Sequence, residues 1–284
     1  MKVGFALRST VFSPPSIATI IPFLEESRVD SVWFPTVRQT FDTLDVCGMS
    51  LGRSSRLRVG TGVIRPTDYD FALLLARLHT LSAVSEGRFV LGIGTGSASG
   101  RVAIDGLVEL AKKLRADYPE QRRPPIFFAA LKKRALRAAY MNADGAILNF
   151  CPPDYVRKIL PEGFGRKGFT LACYIKLFFA EEDETARKML VDEMKMYNKI
   201  PQYHAMFEEI GSADSIDSLD SEPARGIPED LLEISSVNPT DEEVGQIIER
   251  FNRAGVDLPI VYPYVSGDDE YKVEVARRLA SIVK

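Results

Sequence analysis

The sequence predicts an α/β protein built as one (β/α)₈ TIM barrel, and three observations support this fold class. Short apolar stretches rich in Val, Ile and Phe alternate with longer stretches of helical periodicity, which is typical of parallel α/β folds. Eight such strands are present, each followed by a helix. No shift in composition marks a domain boundary. A closed barrel over residues 1–284 is therefore favoured over an open sheet, because closure leaves no exposed strand edge.

Each element of the barrel can be placed along the chain. The predicted strands lie near residues 2–7, 31–35, 56–64, 88–94, 125–130, 145–150, 169–179 and 258–264. The predicted helices lie near residues 15–28, 41–53, 70–86, 101–117, 132–141, 153–160, 182–210, 241–254 and 269–283. Helix-start signals support several of them: Pro14 and Pro15 suit a first turn, Asp70 suits an N-cap, and Thr240 with Glu243 is spaced as a capping box.

The segment between the seventh and eighth predicted strands breaks the even spacing. Residues 182–240 are interpreted as a helical excursion within the barrel, not as a separate domain. Its second half, residues 211–240, is polar, acidic and rich in Ser and Pro. A loop of this length is either functional or poorly ordered.

Composition excludes several classes of protein. Of the 284 residues 45% are hydrophobic and 26% charged, as in soluble globular proteins, and the net charge of −3 provides no basic field for nucleic acid. The N-terminus lacks a signal core, and no apolar run approaches the ~18 residues of a membrane span. We expect a cytoplasmic protein that acts on a small molecule, with neither a nucleic-acid nor a membrane partner.

Metal-binding residues are scarce. Two histidines and three widely spaced cysteines form no ligand pattern, so the sequence predicts no metal site. The chemistry is expected instead at the carboxyl ends of the barrel strands, where active sites of this fold lie.

The exit of the fourth predicted strand carries a glycine-rich loop, Gly94, Thr95, Gly96 and Ser97. Glycines let backbone amides approach an anion, and the helix that follows adds positive dipole. A tight turn without a ligand is the alternative. The pattern is not a Rossmann fingerprint, because the third glycine and the downstream acidic residue are absent.

The third predicted strand also contains two glycines, Gly60 and Gly62. Glycine inside a strand marks either a structural kink or a close approach of backbone to a ligand, here a flat ring against the strand. Arg65 follows this strand. It could hold a carboxylate or phosphate, or pair with Asp68 or Asp70.

Two segments carry a resemblance to a known family. Residues 56–63 read RLRVGTGV, and residues 79–96 read HTLSAVSEGRFVLGIGTG. Together they closely resemble the luciferase-like monooxygenase superfamily, and within it the branch that uses coenzyme F420, such as methylenetetrahydromethanopterin reductase. The resemblance extends weakly over nearly the whole chain.

The resemblance implies a function and a cofactor site. It implies an oxidoreductase that transfers a hydride between a deazaflavin, coenzyme F420, and an unidentified small organic substrate, in a homodimer or higher homo-oligomer. Residues 94–97 would bind the cofactor phosphate, with Ala130 and Lys132 completing that pocket after the fifth strand. The bond between Gly62 and Val63 matches a non-prolyl cis peptide behind the ring of the cofactor.

The sequence also departs from the F420 branch. The second strand ends in Pro35 and Thr36, predicted to line the ring pocket, where relatives often carry an Asp, and Ser97 stands where sugar-phosphate dehydrogenases carry a glutamate. No catalytic acid or base can be carried over. Lys132 replaces a glycine and is either a phosphate ligand or an ordinary lysine at a helix start. An FMN-dependent monooxygenase and a barrel without catalysis remain as alternatives.

Overall fold

The structure is a computed structural model in which helices cover a sheet of parallel strands. It describes residues 2–37, 40–96, 98, 100–118, 123–161, 163–165, 167–219 and 235–283. Within these ranges no helix is both long enough and apolar enough to cross a membrane.

Eight parallel strands close into a barrel, which confirms the predicted fold class. Around the ring the order is β1, β2, β3, β4, β5, β6, β7 and β9, and β9 pairs again with β1. The strands that form the ring are β1 (Gly4–Ala6), β2 (Ser31–Phe34), β3 (Arg58–Thr61), β4 (Phe89–Ile93), β5 (Ile126–Ala129), β6 (Gly145–Asn149), β7 (Thr170–Phe179) and β9 (Leu258–Val265).

Helices follow the strands on the outside of the ring. Those in the described ranges are α1 (Pro14–Glu26), α2 (Thr43–Leu51), α3 (Phe71–Ser85), α4 (Gly100–Asp117), α5 (Lys133–Asn142), α6 (Pro153–Ile159), α7 (Asp183–Asn198), α8 (Pro201–Ile210), α9 (Ala213–Ser218), α10 (Asp241–Arg253) and α11 (Asp269–Ile282). Because helices cover one face of the sheet and the barrel interior covers the other, the strands are buried on both faces.

Side chains from several strands fill the barrel interior below the mouth. Trp33 on β2 is buried and packs against Phe127 on β5, with ring centroids 5.5 Å apart. Its indole N–H donates to Ser31 Oγ at 2.9 Å, so the one polar atom of this ring is satisfied. The barrel interior around Trp33 is therefore a packed core, and the larger cavity of the described residues lies above it, at the carboxyl ends of the strands.

The predicted helix starts are confirmed. Ser13 caps α1 by accepting from the Ser16 N–H, with prolines in the first turn, and Asp70 caps α3. At α10 the Thr240 side chain accepts from the Glu243 N–H, and the Glu243 carboxylate accepts from the Thr240 N–H, which is a complete capping box.

The excursion between β7 and β9 corrects the sequence prediction in two places. The single helix predicted over 182–210 is two helices, because Ile200 is extended and Pro201 opens a new helix. The segment predicted as a loop contains α9 and a short strand, β8 (Ser235–Val237), which pairs with β7. Strand β8 has only three residues, which are too few to show the alternation of apolar and polar side chains that predicts a strand. Residues 220–234 of that predicted loop lie outside the described ranges.

Candidate functional site

A cavity of about 770 Å³ lies at the carboxyl ends of the strands. This volume is in the range of sites for small molecules and cofactors. The barrel forms its floor and walls, while α7, α8 and the turn between them cover one side with Met196, Tyr197, Ile200 and Tyr203. The helices α7 and α8 therefore form a roof over one side of the barrel mouth.

Every predicted site residue that the structure describes lines this one cavity. These residues are Pro35, Thr36, Gly62, Val63, Arg65, Gly94, Thr95, Gly96, Ala130 and Lys132. Ser97 lies outside the described ranges. The structure brings the residues together, and their roles toward a ligand stay predictions.

Backbone donors are available at the exit of β4. The Gly94 N–H donates to Ile64 O at 3.0 Å, whereas the N–H groups of Thr95 and Gly96 donate to no described residue. Gly96 has a φ of +63°, a conformation that favours glycine. The first turn of α4 also lines the cavity, through Gly100 and Ala103. Free amides and a helix N-terminus at one place form a site suited to an anion.

Three cationic side chains surround that exit. Arg65 pairs with Asp68, with Nε–Oδ2 and Nη2–Oδ2 distances of 2.8 and 2.7 Å, so its carboxylate partner comes from the protein. Lys132 pairs with Glu209 at 2.5 Å. Arg134 lines the cavity and forms no ion pair with a described residue. Lys132 is thus more than an unpaired lysine at a helix start, because its ion pair ties β5 to the roof.

The Gly62–Val63 peptide bond is cis, as the resemblance implies. The Tyr174 hydroxyl reaches from β7 and donates to Gly62 O at 2.8 Å. A Cβ at Gly62 would collide with this hydroxyl, and a Cβ at Gly94 would lie 2.6 Å from Val63 Cγ2. The segments that follow β3 and β4 are therefore packed closely against each other and against Tyr174, and only glycine fits at positions 62 and 94.

A second connection fixes these two exits relative to each other. Thr61 Oγ1 donates to Gly92 O and accepts from Gly92 N, each at 2.8 Å. The Ile64 N–H donates to the same carbonyl at 3.0 Å. These buried hydrogen bonds hold the bend after β3 rigidly beside the glycine loop after β4.

Polar contacts join the roof to the barrel. Gln202 donates to Gly96 O at 3.0 Å, and Asn149 Nδ2 donates to the Tyr203 hydroxyl at 2.8 Å. The amide oxygens Gln202 Oε1 and Asn149 Oδ1 are buried and accept from no described residue. Both residues line the cavity, and each keeps one buried acceptor without a donor among the described residues.

A buried charged cluster lies behind the part of the cavity wall that Arg8 forms. Glu193 on α7 accepts from Arg8 Nη1 at 2.9 and 3.0 Å, from Lys176 Nζ at 2.9 Å and from the Tyr264 hydroxyl at 2.5 Å. Tyr264 also accepts from Arg8 at 2.9 Å. Lys176 is fully buried, and its ammonium lies 3.9 Å from the ring centroid of Phe150.

Burial and charge determine how this cluster ionises. Burial works against ionisation of Glu193, but the charges of Lys176 and Arg8 outweigh it and lower the pKa of this carboxyl to about 2. Burial lowers the pKa of Lys176 to about 8, with Glu193 acting in the opposite direction. Burial raises the pKa of Tyr264 well above its ordinary value. At neutral pH the cluster therefore holds two cations, one carboxylate and a neutral phenol.

The sequence prediction missed this cluster, although one signal was present. Lys176 is the only charged residue in the ten-residue strand TLACYIKLFF, and a lone lysine in a buried strand indicates a specific partner. Arg8 follows β1 at the mouth, a position where the fold places functional residues. Glu193 gave no signal, because nothing in the sequence shows which face of α7 meets the barrel.

The other candidate residues are now placed as well. Tyr262 on β9 lines the cavity. Thr36 Oγ1 lies 2.8 Å from Thr43 Oγ1 and is part of the wall at the end of β2. In the described part of the cavity wall there is no Asp, Glu or His. The hydroxyl groups of tyrosines are thus the available proton-bearing groups beside the cations.

Comparisons with known proteins agree with this geometry. Residues 1–116 match the family model of the luciferase-like monooxygenases. An F420-dependent glucose-6-phosphate dehydrogenase of Kineococcus radiotolerans is 31% identical over 113 residues, 37% of this chain and 34% of the relative. The corresponding enzyme of Microbacterium testaceum is 27% identical over 217 residues, covering 60% of this chain and 64% of the relative. The alignments thus span from about one third to less than two thirds of these relatives.

Solved structures share the fold over the whole chain. The coenzyme F420-dependent tetrahydromethanopterin reductase of Methanopyrus kandleri has a TM-score of 0.71 at 15% identity, covering 99% of each chain. An F420-dependent secondary alcohol dehydrogenase with an F420–acetone adduct has a TM-score of 0.76 at 16% identity, covering 100% of this chain and 99% of that one.

A flavin enzyme is also similar in fold. The oxygenating constituent of 3,6-diketocamphane monooxygenase of Pseudomonas putida, in complex with FMN, has a TM-score of 0.63 at 15% identity and covers 100% of this chain and 97% of that one. The resemblance predicted from the sequence is confirmed: residues 1–116 carry a luciferase-like monooxygenase sequence, and F420-dependent oxidoreductases are among the relatives of this chain.

Proposed function

We propose that this chain is an F420-dependent oxidoreductase that transfers a hydride between the deazaflavin and a small organic substrate. The proposal rests on one observation: the segments that follow β3 and β4 are packed against each other at a single cavity. The bend at Gly62–Val63 offers a surface for a flat ring, and the Thr95 and Gly96 amides, which donate to no described residue, offer donors for a phosphate.

The residues of the cavity fit the chemical groups of this cofactor. The Thr95 and Gly96 amides, the first turn of α4 and the Arg134 guanidinium would hold the phosphate. The bend at Gly62–Val63, held by Tyr174, would support the ring. When bound, coenzyme F420 would supply the hydride chemistry itself, and the protein would orient the ring and exclude water.

Proton handling would fall to hydroxyl groups in this cavity. Tyr262 lines the wall, and burial raises its pKa, so it stays protonated at neutral pH. Burial likewise raises the pKa of Tyr197 to about 12. A protonated phenol can donate a hydrogen bond to a carbonyl oxygen of the substrate, in a place where many oxidoreductases use a carboxylic acid or histidine.

An FMN-dependent monooxygenase is the second candidate, because an FMN-bound enzyme shares the fold and a phosphate loop suits either cofactor. A barrel without catalysis is less well supported, since the cavity stays open and polar donors face into it.

Equilibrium titration tests the proposal. Purified protein would be titrated with coenzyme F420 and, separately, with FMN, following the fluorescence of each cofactor. We expect saturable binding of F420 at least tenfold tighter than that of FMN. Tighter binding of FMN would favour the monooxygenase, and no binding of either by folded protein would support the non-catalytic barrel.

A further inference from the structure

Arg8 has hydrogen-bond donors that the protein does not use. Its contacts with Glu193 and Tyr264 all run through Nη1. Nε is buried and donates to no described residue. Nη2 likewise has no acceptor among the described residues, and the Arg8 side chain as a whole is 15% exposed. Because Arg8 lines the cavity, its guanidinium can present Nη2 to a ligand while Glu193 holds the other side.

The cluster behind Arg8 has an excess of positive charge. Arg8 and Lys176 share the single carboxylate of Glu193, and the neighbouring Tyr264 is neutral. Among the described residues one unit of positive charge therefore remains in this largely buried cluster. There an anionic ligand that pairs directly with a guanidinium is bound more strongly than at an exposed surface.

The position of Arg8 separates it from the cofactor phosphate site. In the ring of eight strands, β1 and β9 lie opposite β5 and β4. When the parallel register is continued by two residues beyond β1, Arg8 is level with Pro35, just after β2, and with Gly62, just after β3. Two strand spacings amount to about 10 Å. Arg8 is thus on the far wall from the glycine loop, yet close to the bend that would support the ring.

We propose that Arg8 binds an anionic group, a carboxylate or a phosphate, of the substrate. The substrate class is then a small organic acid or phosphate ester whose reacting carbon lies over the Gly62–Val63 bend. The position of the reacting carbon rests on the proposed function, whereas anion binding at Arg8 does not. Glu193 and Lys176 act as positioning residues, because neither lines the cavity.

Anion binding can be measured without any cofactor. Inorganic phosphate and acetate would be titrated separately into the protein by calorimetry, for wild type, Arg8→Gln and, as a control outside the cavity wall, Arg253→Gln. The glycine loop also suits phosphate. The Gly96→Asp variant would remove that second site, so that phosphate binding at Arg8 can be measured alone. We expect Arg8→Gln to weaken acetate binding at least tenfold and Arg253→Gln to leave it unchanged. The Gly96→Asp variant should still bind phosphate. The double variant with Gly96→Asp and Arg8→Gln should not.

A spectroscopic measurement on the wild-type protein covers the case in which Arg8→Gln fails to fold. The ¹⁵Nε resonance of Arg8, assigned by comparison with Arg8→Lys, should shift and saturate with acetate or phosphate. The proposal is overturned if this resonance does not respond at saturating anion, or if folded Arg8→Gln binds both anions as wild type does. Failure to bind F420 would refute the proposed function alone and leave the anion result standing.

Discussion

Glycine residues make the contacts of the cavity possible at the scale of single residues. Gly62 leaves room for the Tyr174 hydroxyl, and Gly94 leaves room for Val63. Gly96 adopts a positive φ, with Arg65 beside the position a Cβ would occupy. Each glycine is needed for a different reason, and together they expose backbone amides and a flat bend where side chains would otherwise fill the mouth.

Gly96→Asp tests the glycine loop. A carboxylate at this position would repel a phosphate and occupy the space before the Thr95 amide, so we expect F420 affinity to fall at least 100-fold in the fluorescence titration. Aspartate tolerates the left-handed conformation better than most residues, and the flexible Arg65 side chain can move, so the melting temperature should change little.

The matched control is Gly163→Asp. Gly163 has a φ of +69°, like Gly96, but it is not part of the cavity wall, and nothing lies within 4 Å of its Cβ position. This variant should bind F420 as wild type does. Retained affinity in Gly96→Asp would place the phosphate elsewhere.

Residues near in sequence were predictable, and residues brought together by the fold were not. The glycines after β3 and β4 stand out because glycine inside or after a strand has few structural explanations. The pair of Arg8 and Glu193, by contrast, joins positions 185 residues apart. No local pattern encodes such a pair, since its formation depends on how α7 is laid across the barrel.

At the scale of elements, the roof formed by α7 and α8 is attached to the barrel through charge. Glu193 connects α7 to β7 and to the end of β1, and Glu209 on α8 pairs with Lys132 after β5. The roof is thus held on two sides of the mouth by carboxylates that reach down to cations of the barrel. A roof attached in this way keeps the aromatic residues of α7 and α8 over the cavity.

Glu193→Gln tests this attachment. The variant leaves Arg8 and Lys176 buried without their counterion, and we expect the free energy of unfolding at pH 7 to fall by about 3 kcal/mol. Because the folded pKa of Glu193, about 2, lies below the unfolded value of 4.5, its contribution is complete above pH 4.5 and is lost as the pH falls toward 2.

Urea unfolding at pH 7, 4.5 and 3 provides the measurement. The difference in stability between wild type and Glu193→Gln should shrink between pH 4.5 and 3. Glu249→Gln, which removes an exposed ion pair with Arg253 on α10, serves as control and should change stability by less than about 1 kcal/mol. A difference for Glu193→Gln that is small at pH 7, or that does not depend on pH, would show that the cluster does not anchor the roof.

The elements of the ring were predictable because each strand is a buried apolar run with a helix behind it. The roof was not, for physical reasons that its sequence illustrates. The three residues of β8 are Ser, Ser and Val, and pairing with the long strand β7 decides their conformation. The break at Pro201 falls inside one continuous helical pattern, so the proline decides where α7 and α8 separate.

At the scale of the whole molecule, the proposed roles place two binding sites on opposite sides of one cavity. The ends of β4 and β5 would provide amides and cations for a phosphate, and the ends of β1 and β9 bring Arg8 and Tyr262 to the cavity. The bend after β3 lies between them. This arrangement would let a cofactor enter from one side and a substrate meet its ring from the other, under a roof that limits contact with water.

A crystal structure with coenzyme F420 bound is the most direct test of this account. We expect a phosphate oxygen within 3.2 Å of the Thr95 and Gly96 nitrogens, and the deazaflavin ring against the Gly62–Val63 bend. A cofactor bound outside the cavity, or with its phosphate on the wall of Arg8 and its ring away from the bend, would contradict the account.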